Sequence, residues 1–107
     1  MALDILITDS HDNVEKSTPL HIGEWDLIME MIANLEDFTI TRKVLSDYYG
    51  ESEIYLNEFS NFKAEILVLK ELLLSANNKT LDEFIMDLLN LIDSAIILQR
   101  TIKFIGD

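Results

Sequence analysis

The chain has no cysteine, one proline and three glycines. Without thiols it has no disulfide framework, no thiolate metal site and no cysteine nucleophile. So little proline and glycine leaves no place for a flexible linker, and no repeat is visible at the periods of about 20 to 50 residues that mark solenoids. With 107 residues, the expectation is a single domain, 1–107. Long apolar runs are missing as well. The longest, such as Ile66 to Leu69 and Ala95 to Leu98, hold four residues, against the roughly 20 that a membrane-spanning helix needs. Asp4 spoils the basic start of a signal peptide, so a soluble, cytoplasmic protein with no membrane partner is expected.

Positive charge is scarce: 8 Lys and Arg stand against 20 Asp and Glu, a net charge of −12. Such a chain repels phosphate backbones and attracts basic surfaces, which speaks against nucleic acid as a partner. The two histidines are His11, in a polar stretch, and His21, ahead of a helix. Neither completes a nucleophile, base and orienting group. No glycine-rich phosphate cradle is present. Asp9, His11 and Asp12 have the residue types of a cation loop, but the calcium-loop pattern is absent and the same residues make an ordinary turn, which is the preferred reading. Close carboxylate pairs follow from sheer abundance. The expectation is therefore no enzyme, no catalytic residue, no metal and no cofactor.

Periodicity supplies the fold. Leu3, Ile5 and Ile7 alternate within Leu3 to Thr8, predicting a strand; Asp9 to Asn13 predicts a turn, and Val14 to Thr18 a second strand that Pro19 ends. Trp25, Ile28, Met29, Ile32 and Leu35 follow helical spacing over Glu24 to Leu35. Thr41 to Tyr49 predicts a shorter helix stopped by Gly50 as a left-handed cap. The segment after it is ambiguous, either a strand around Ile54 to Leu56 or a loop. Ser60 to Ser75 reads as a helix apolar on three sides and hence central. A capping box of Thr80 and Glu83 starts the last helix, running to about Lys103. Its apolar arc includes Leu81, Phe84, Leu88, Ile92 and Ala95, with Gln99 in the middle as a buried amide; Met86 and Ile97 fall in the polar arc. Cover by the N-terminal hairpin is the simplest account of those two. The fold class expected is α+β, mainly α: an N-terminal β-hairpin on a bundle of about four helices, the last one long and central.

The opening A-L-D-I-L-I-T-D, then L-S-D-Y-Y-G-E and E-I-Y-L-N-E-F ahead of two long helices, resembles a group of small acidic bacterial proteins of mostly unassigned role, some of the general type that serve as immunity proteins neutralising toxin domains. The resemblance implies a non-enzymatic inhibitor that occludes a basic toxin domain. Charge patterning supplies a candidate contact surface beside it. Asp47, Tyr48, Tyr49, Glu51, Glu53 and Tyr55 interleave tyrosines with acids, aromatic anchors among groups that steer a basic protein partner. Met86, Asp87, Asp93 and Ile97 on the last helix are the other candidates, and they carry the alternative: an adaptor, or a module that forms a homodimer through that helix.

Overall fold

The computed structural model of the protein describes residues 2–106. Strand β1 (Ala2–Thr8) and strand β2 (Val14–His21) form the expected hairpin. Its turn is built by Asp9, whose Oδ1 accepts the N–H groups of His11 at 2.8 Å and Asn13 at 3.0 Å, while Asp12 takes a left-handed φ of 62°. Contrary to expectation β2 continues through Pro19 to His21. It is an edge strand, so the N–H that proline lacks is not needed by the sheet.

Helix α1 (Ile22–Ile32) follows at once, then α2 (Thr39–Leu45), strand β3 (Glu51–Ile54), a 3-10 turn (Leu56–Glu58), α3 (Phe59–Leu73), α4 (Lys79–Leu98) and strand β4 (Ile102–Ile105). Arg42 donates to the carbonyls of Ile32, at 2.6 Å, and Leu35, tying the end of α1 to α2. Phe38 offers no capping side chain to α2; instead Glu65 of α3 accepts the N–H groups of Ile40 and Thr41 and the Thr41 hydroxyl. Asn78, not Thr80, caps α4, its Oδ1 accepting Leu81 N–H at 3.1 Å.

The largest departure is at the chain end. The last helix stops at Leu98, Gln99 turns left-handed with φ 55° and lies exposed, and the chain returns as β4. Strand β4 pairs with β1 on one side and β3 on the other, giving an antiparallel sheet of order β2-β1-β4-β3. The protein is thus α+β, and the hairpin is half of a sheet rather than an appendage to a bundle.

Alternation divides the sheet into two faces. Leu3, Ile5, Ile7, Leu20, Ile54, Ile102 and Phe104 are fully buried and share one core with Ile28, Ile32, Phe62, Leu69 and Ile92 of the helices. The opposite face bears Asp4, Ser17, Pro19, Glu51, Glu53, Lys103 and Ile105 and carries no helix among the described residues. Helix α3 buries only the stripe Phe59, Phe62, Ile66, Leu69 and Leu73; Leu67, Val68 and Leu72 are exposed, so it is one-sided rather than central. Lys63 of α3 meets Asp93 of α4 at 2.7 Å across the outer seam of the helical layer.

Candidate functional site

The segment from Asp47 to Tyr55 leads from α2 into β3 and ends at the 3-10 turn. Helix α2 ends at Leu45, so Tyr48 and Tyr49 sit in a turn: Gly50 N–H donates to the Asp47 carbonyl, and Tyr49 N–H to Asp47 Oδ1 at 3.2 Å. Gly50 is not left-handed, as the cap reading required. A Cβ there would lie 2.2 Å from Asp47 Oδ2, the end of a side chain that can swing aside, so neither backbone conformation nor backbone contact demands glycine at this position.

Tyr48 is corrected out of the contact set. It is 2% exposed, its hydroxyl donates to the Leu20 carbonyl at 2.9 Å, and its ring lies 5.3 Å from that of Trp25. Trp25 is itself held by donation from Nε1 to the Leu45 carbonyl at 2.6 Å. Tyr49 stands edge-on to Tyr48 and is 56% exposed. Tyr55, past the other end of β3, is 54% exposed. Its N–H donates to Glu58 Oε1 at 3.3 Å, and Glu58 also meets Lys43 at 3.0 Å. The Lys43 ammonium, helped by the Tyr55 N–H, holds the Glu58 carboxyl below its ordinary range.

Between the two tyrosines, Glu51 and Glu53 point to the helix-free face, opposite Ile105 and Lys103 in register. Thr101 donates its hydroxyl to Glu53 Oε1 at 2.6 Å, and Lys103 lies 3.8 Å from Asp12 Oδ1. Glu51, Ser52, Glu53, Lys103 and Ile105 line a shallow depression of about 370 Å³. Asp4 adds another acid from β1, paired with Ile105. Lys103 is the only cation that β1, β3 and β4 present on this face among the described residues, and Glu53 and Asp12 flank it, so the face is acidic. Gly106 locks the tyrosine turn onto it: its N–H donates to the Gly50 carbonyl at 2.8 Å, and a Cβ there would lie 2.2 Å from the Tyr48 carbonyl oxygen. Thr101 and Lys103 fall within the expected last helix, and Ile105 and Gly106 lie beyond its expected end near Lys103, so the sequence does not mark these four as part of a sheet face.

The candidates on α4 are not part of this face. Met86 is 45% and Ile97 80% exposed, so the hairpin does not cover them as expected. They point away from the sheet, whereas Glu51 and Glu53 point away from the helices; the two groups occupy opposite sides of the molecule. Asp93 is paired with Lys63, and Asp87 turns to the flank facing β2.

Asp9 is committed to the turn; its bonds from the Asn13 and His11 N–H groups hold its carboxyl below the ordinary range. No group of three or more His, Asp or Glu side chains converges to hold a metal among the described residues, and none of the described helices is long and apolar enough to cross a membrane. No family model, curated protein or solved structure matches the chain.

Proposed function

We propose that the protein is a non-enzymatic, acidic binding protein that inhibits a basic protein domain by covering its surface, in the manner of an immunity protein. One observation carries this reading: two tyrosines, each more than half exposed, bracket the short strand whose Glu51 and Glu53 stand on the helix-free sheet face. Aromatic side chains anchored by their backbone lose little entropy on binding and supply most of the affinity, while surrounding acids accelerate encounter with a cationic partner. The contact set is Tyr49, Glu51, Glu53 and Tyr55, with Asp47 at its margin.

The test is capture from lysate at low and high salt by the parent protein and by a Glu51→Lys, Glu53→Lys variant. The reading expects a basic catalytic domain, inhibited stoichiometrically, whose capture salt and charge reversal both weaken. Capture that neither affects would refute it.

A second reading, self-association through α4, is favoured by the exposure of Met86 and Ile97 on one line of that helix. A mass that rises with concentration in light scattering, and falls for Ile97→Lys, would support it over inhibition. The charge of −12 on each copy works against it.

A further inference from the structure

We propose that the free edge of β2 and the adjoining flank of α4 form a trough that takes an extended, basic peptide segment, added to the sheet as a fifth strand. This surface is separate from the β3 side of the sheet and does not depend on the inhibitor reading.

Strand β2 is terminal in the sheet, and no strand pairs with its far side among the described residues. Lys16, Ser17 and Thr18 together line a depression of about 310 Å³ whose other wall is Asp87, Asn90 and Leu91. Consecutive strand residues point to opposite faces, so a groove that touches all three runs along the strand's edge. A second depression shares Thr18 and Asp87 with the first and continues past Pro19 and His21 to Glu83. The trough therefore follows β2 for most of its length. Helix α4 runs antiparallel beside it, since Lys16 Nζ donates to Ser94 Oγ at 2.9 Å at one end and His21 and Glu83 share the lining at the other.

The backbone at this edge is available for a ladder. Pro19, opposite Asp4, has no N–H to give β1, so its pairing is of the kind in which both residues turn their backbone groups away from the partner strand. Ser17, two residues earlier, does the same and presents both an N–H and a carbonyl outward. Pro19 presents a carbonyl only. An incoming strand finds three backbone bonds here, enough to set its register and too few to run on toward α1.

The wall sets the chemistry of the occupant. Glu83 and Asp87 are exposed and one turn apart on α4, a rise of about 6 Å, close to the roughly 6.7 Å between alternate side chains of a strand. An added strand directs every second side chain toward α4, so two lysines or arginines spaced i and i+2 meet the two carboxylates in turn. Lys16, the cation on this edge, is already drawn to Ser94. Charge complementarity thus selects a basic segment with alternating side chains.

The probe is an end-blocked nine-residue peptide of alternating Lys and Val, read by fluorescence anisotropy and by amide exchange of the protein. Binding should slow exchange at the Ser17 N–H by about tenfold or more at saturation, because that group becomes a ladder donor. Glu83→Lys with Asp87→Lys should weaken the peptide by about tenfold or more, whereas the equal charge change at Glu51 and Glu53 should leave it within about twofold. A peptide N-methylated at each Val, which cannot form the ladder, should not bind, and this arm needs no altered protein. Equal weakening by the two charge reversals, binding without protection of Ser17, retained binding of the methylated peptide, or no binding at all would each overturn the proposal.

Discussion

The Tyr48 hydroxyl donates to the Leu20 carbonyl at 2.9 Å, joining residues 28 positions apart in the chain. That bond draws Tyr48 under the sheet, against Trp25, and the backbone geometry of the turn then sends Tyr49 outward. Adjacent tyrosines in one acidic segment therefore have opposite roles. Tyr48→Phe should destabilise the fold by about 1 kcal/mol through the lost hydrogen bond and leave partner binding unchanged. Tyr49→Ala should barely move the melting temperature and should speed dissociation of a partner, by about 2 kcal/mol or more for a hot spot. Thermal melts and dissociation kinetics on both variants separate the two.

Gly106 is the other residue on which the position of Tyr49 depends. A methyl group there meets backbone, the Tyr48 carbonyl oxygen at 2.2 Å and Tyr49 Cα at 2.6 Å, and backbone cannot swing aside as a flexible side chain can. Gly106→Ala should force the turn off the end of β4, costing about 1 to 3 kcal/mol in chemical denaturation, the usual range for overpacking. The Gly50 carbonyl should lose its bond from residue 106 at the same time, which carbonyl-labelled infrared spectroscopy would detect.

Asp9 gives the hairpin turn a pH dependence of known sign. Its carboxylate accepts the Asn13 and His11 N–H groups, which favours the ionised form and lowers its pKa in the folded state. A depressed carboxyl pKa contributes stability that is present above the unfolded value and is lost as pH falls through the folded one. Glu58, lowered by Lys43, acts in the same direction. Stability should therefore be flat with respect to these two groups from neutral pH down to the carboxylate range and fall below it. Asp9→Asn keeps an oxygen acceptor without the charge, so it should flatten part of that acid limb; an unchanged limb in pH-dependent denaturation would show that the turn does not report Asp9.

Where one periodicity was unopposed, the elements were legible in the sequence. Leu3, Ile5 and Ile7 alternate, Asp9 to Asn13 can only turn, and the buried stripe of α3 falls at helical spacing. Strand β4 was not legible, because Ile102-Lys103-Phe104-Ile105 is too short for alternation to be told from the helix ahead of it, and Ile102 falls on that helix's apolar arc. The break lies in the left-handed Gln99, a residue type with no strong preference for that conformation. Losing β4 hid the sheet, and with it the face on which Glu51, Glu53 and Lys103 stand. Composition marked the tyrosine and acid segment, but which tyrosine is buried depends on Leu20 and Trp25, which sequence spacing does not bring near.

Helix α4 allows a sharp internal comparison between Leu88 and Ile97. Leu88 is 2% exposed and lies in the core, whereas Ile97, on the reverse of the same helix, is 80% exposed. Leu88→Ala removes buried methyl groups and leaves a cavity that the surrounding strands and helices can only partly close, so it should cost about 2 to 5 kcal/mol. Ile97→Ala removes groups already in water and slightly improves helix propensity, so its effect should stay within about 0.5 kcal/mol. The two changes separate register from environment: a helix rotated by half a turn would exchange the two results, and a last helix continuing to Lys103 would add Gln99 to the buried side. Gln99→Gly supplies that third measurement. At a left-handed C-cap, glycine relieves the strain of a side chain with positive φ and should leave stability unchanged or raised, whereas in a continuous helix it should cost about 1 kcal/mol.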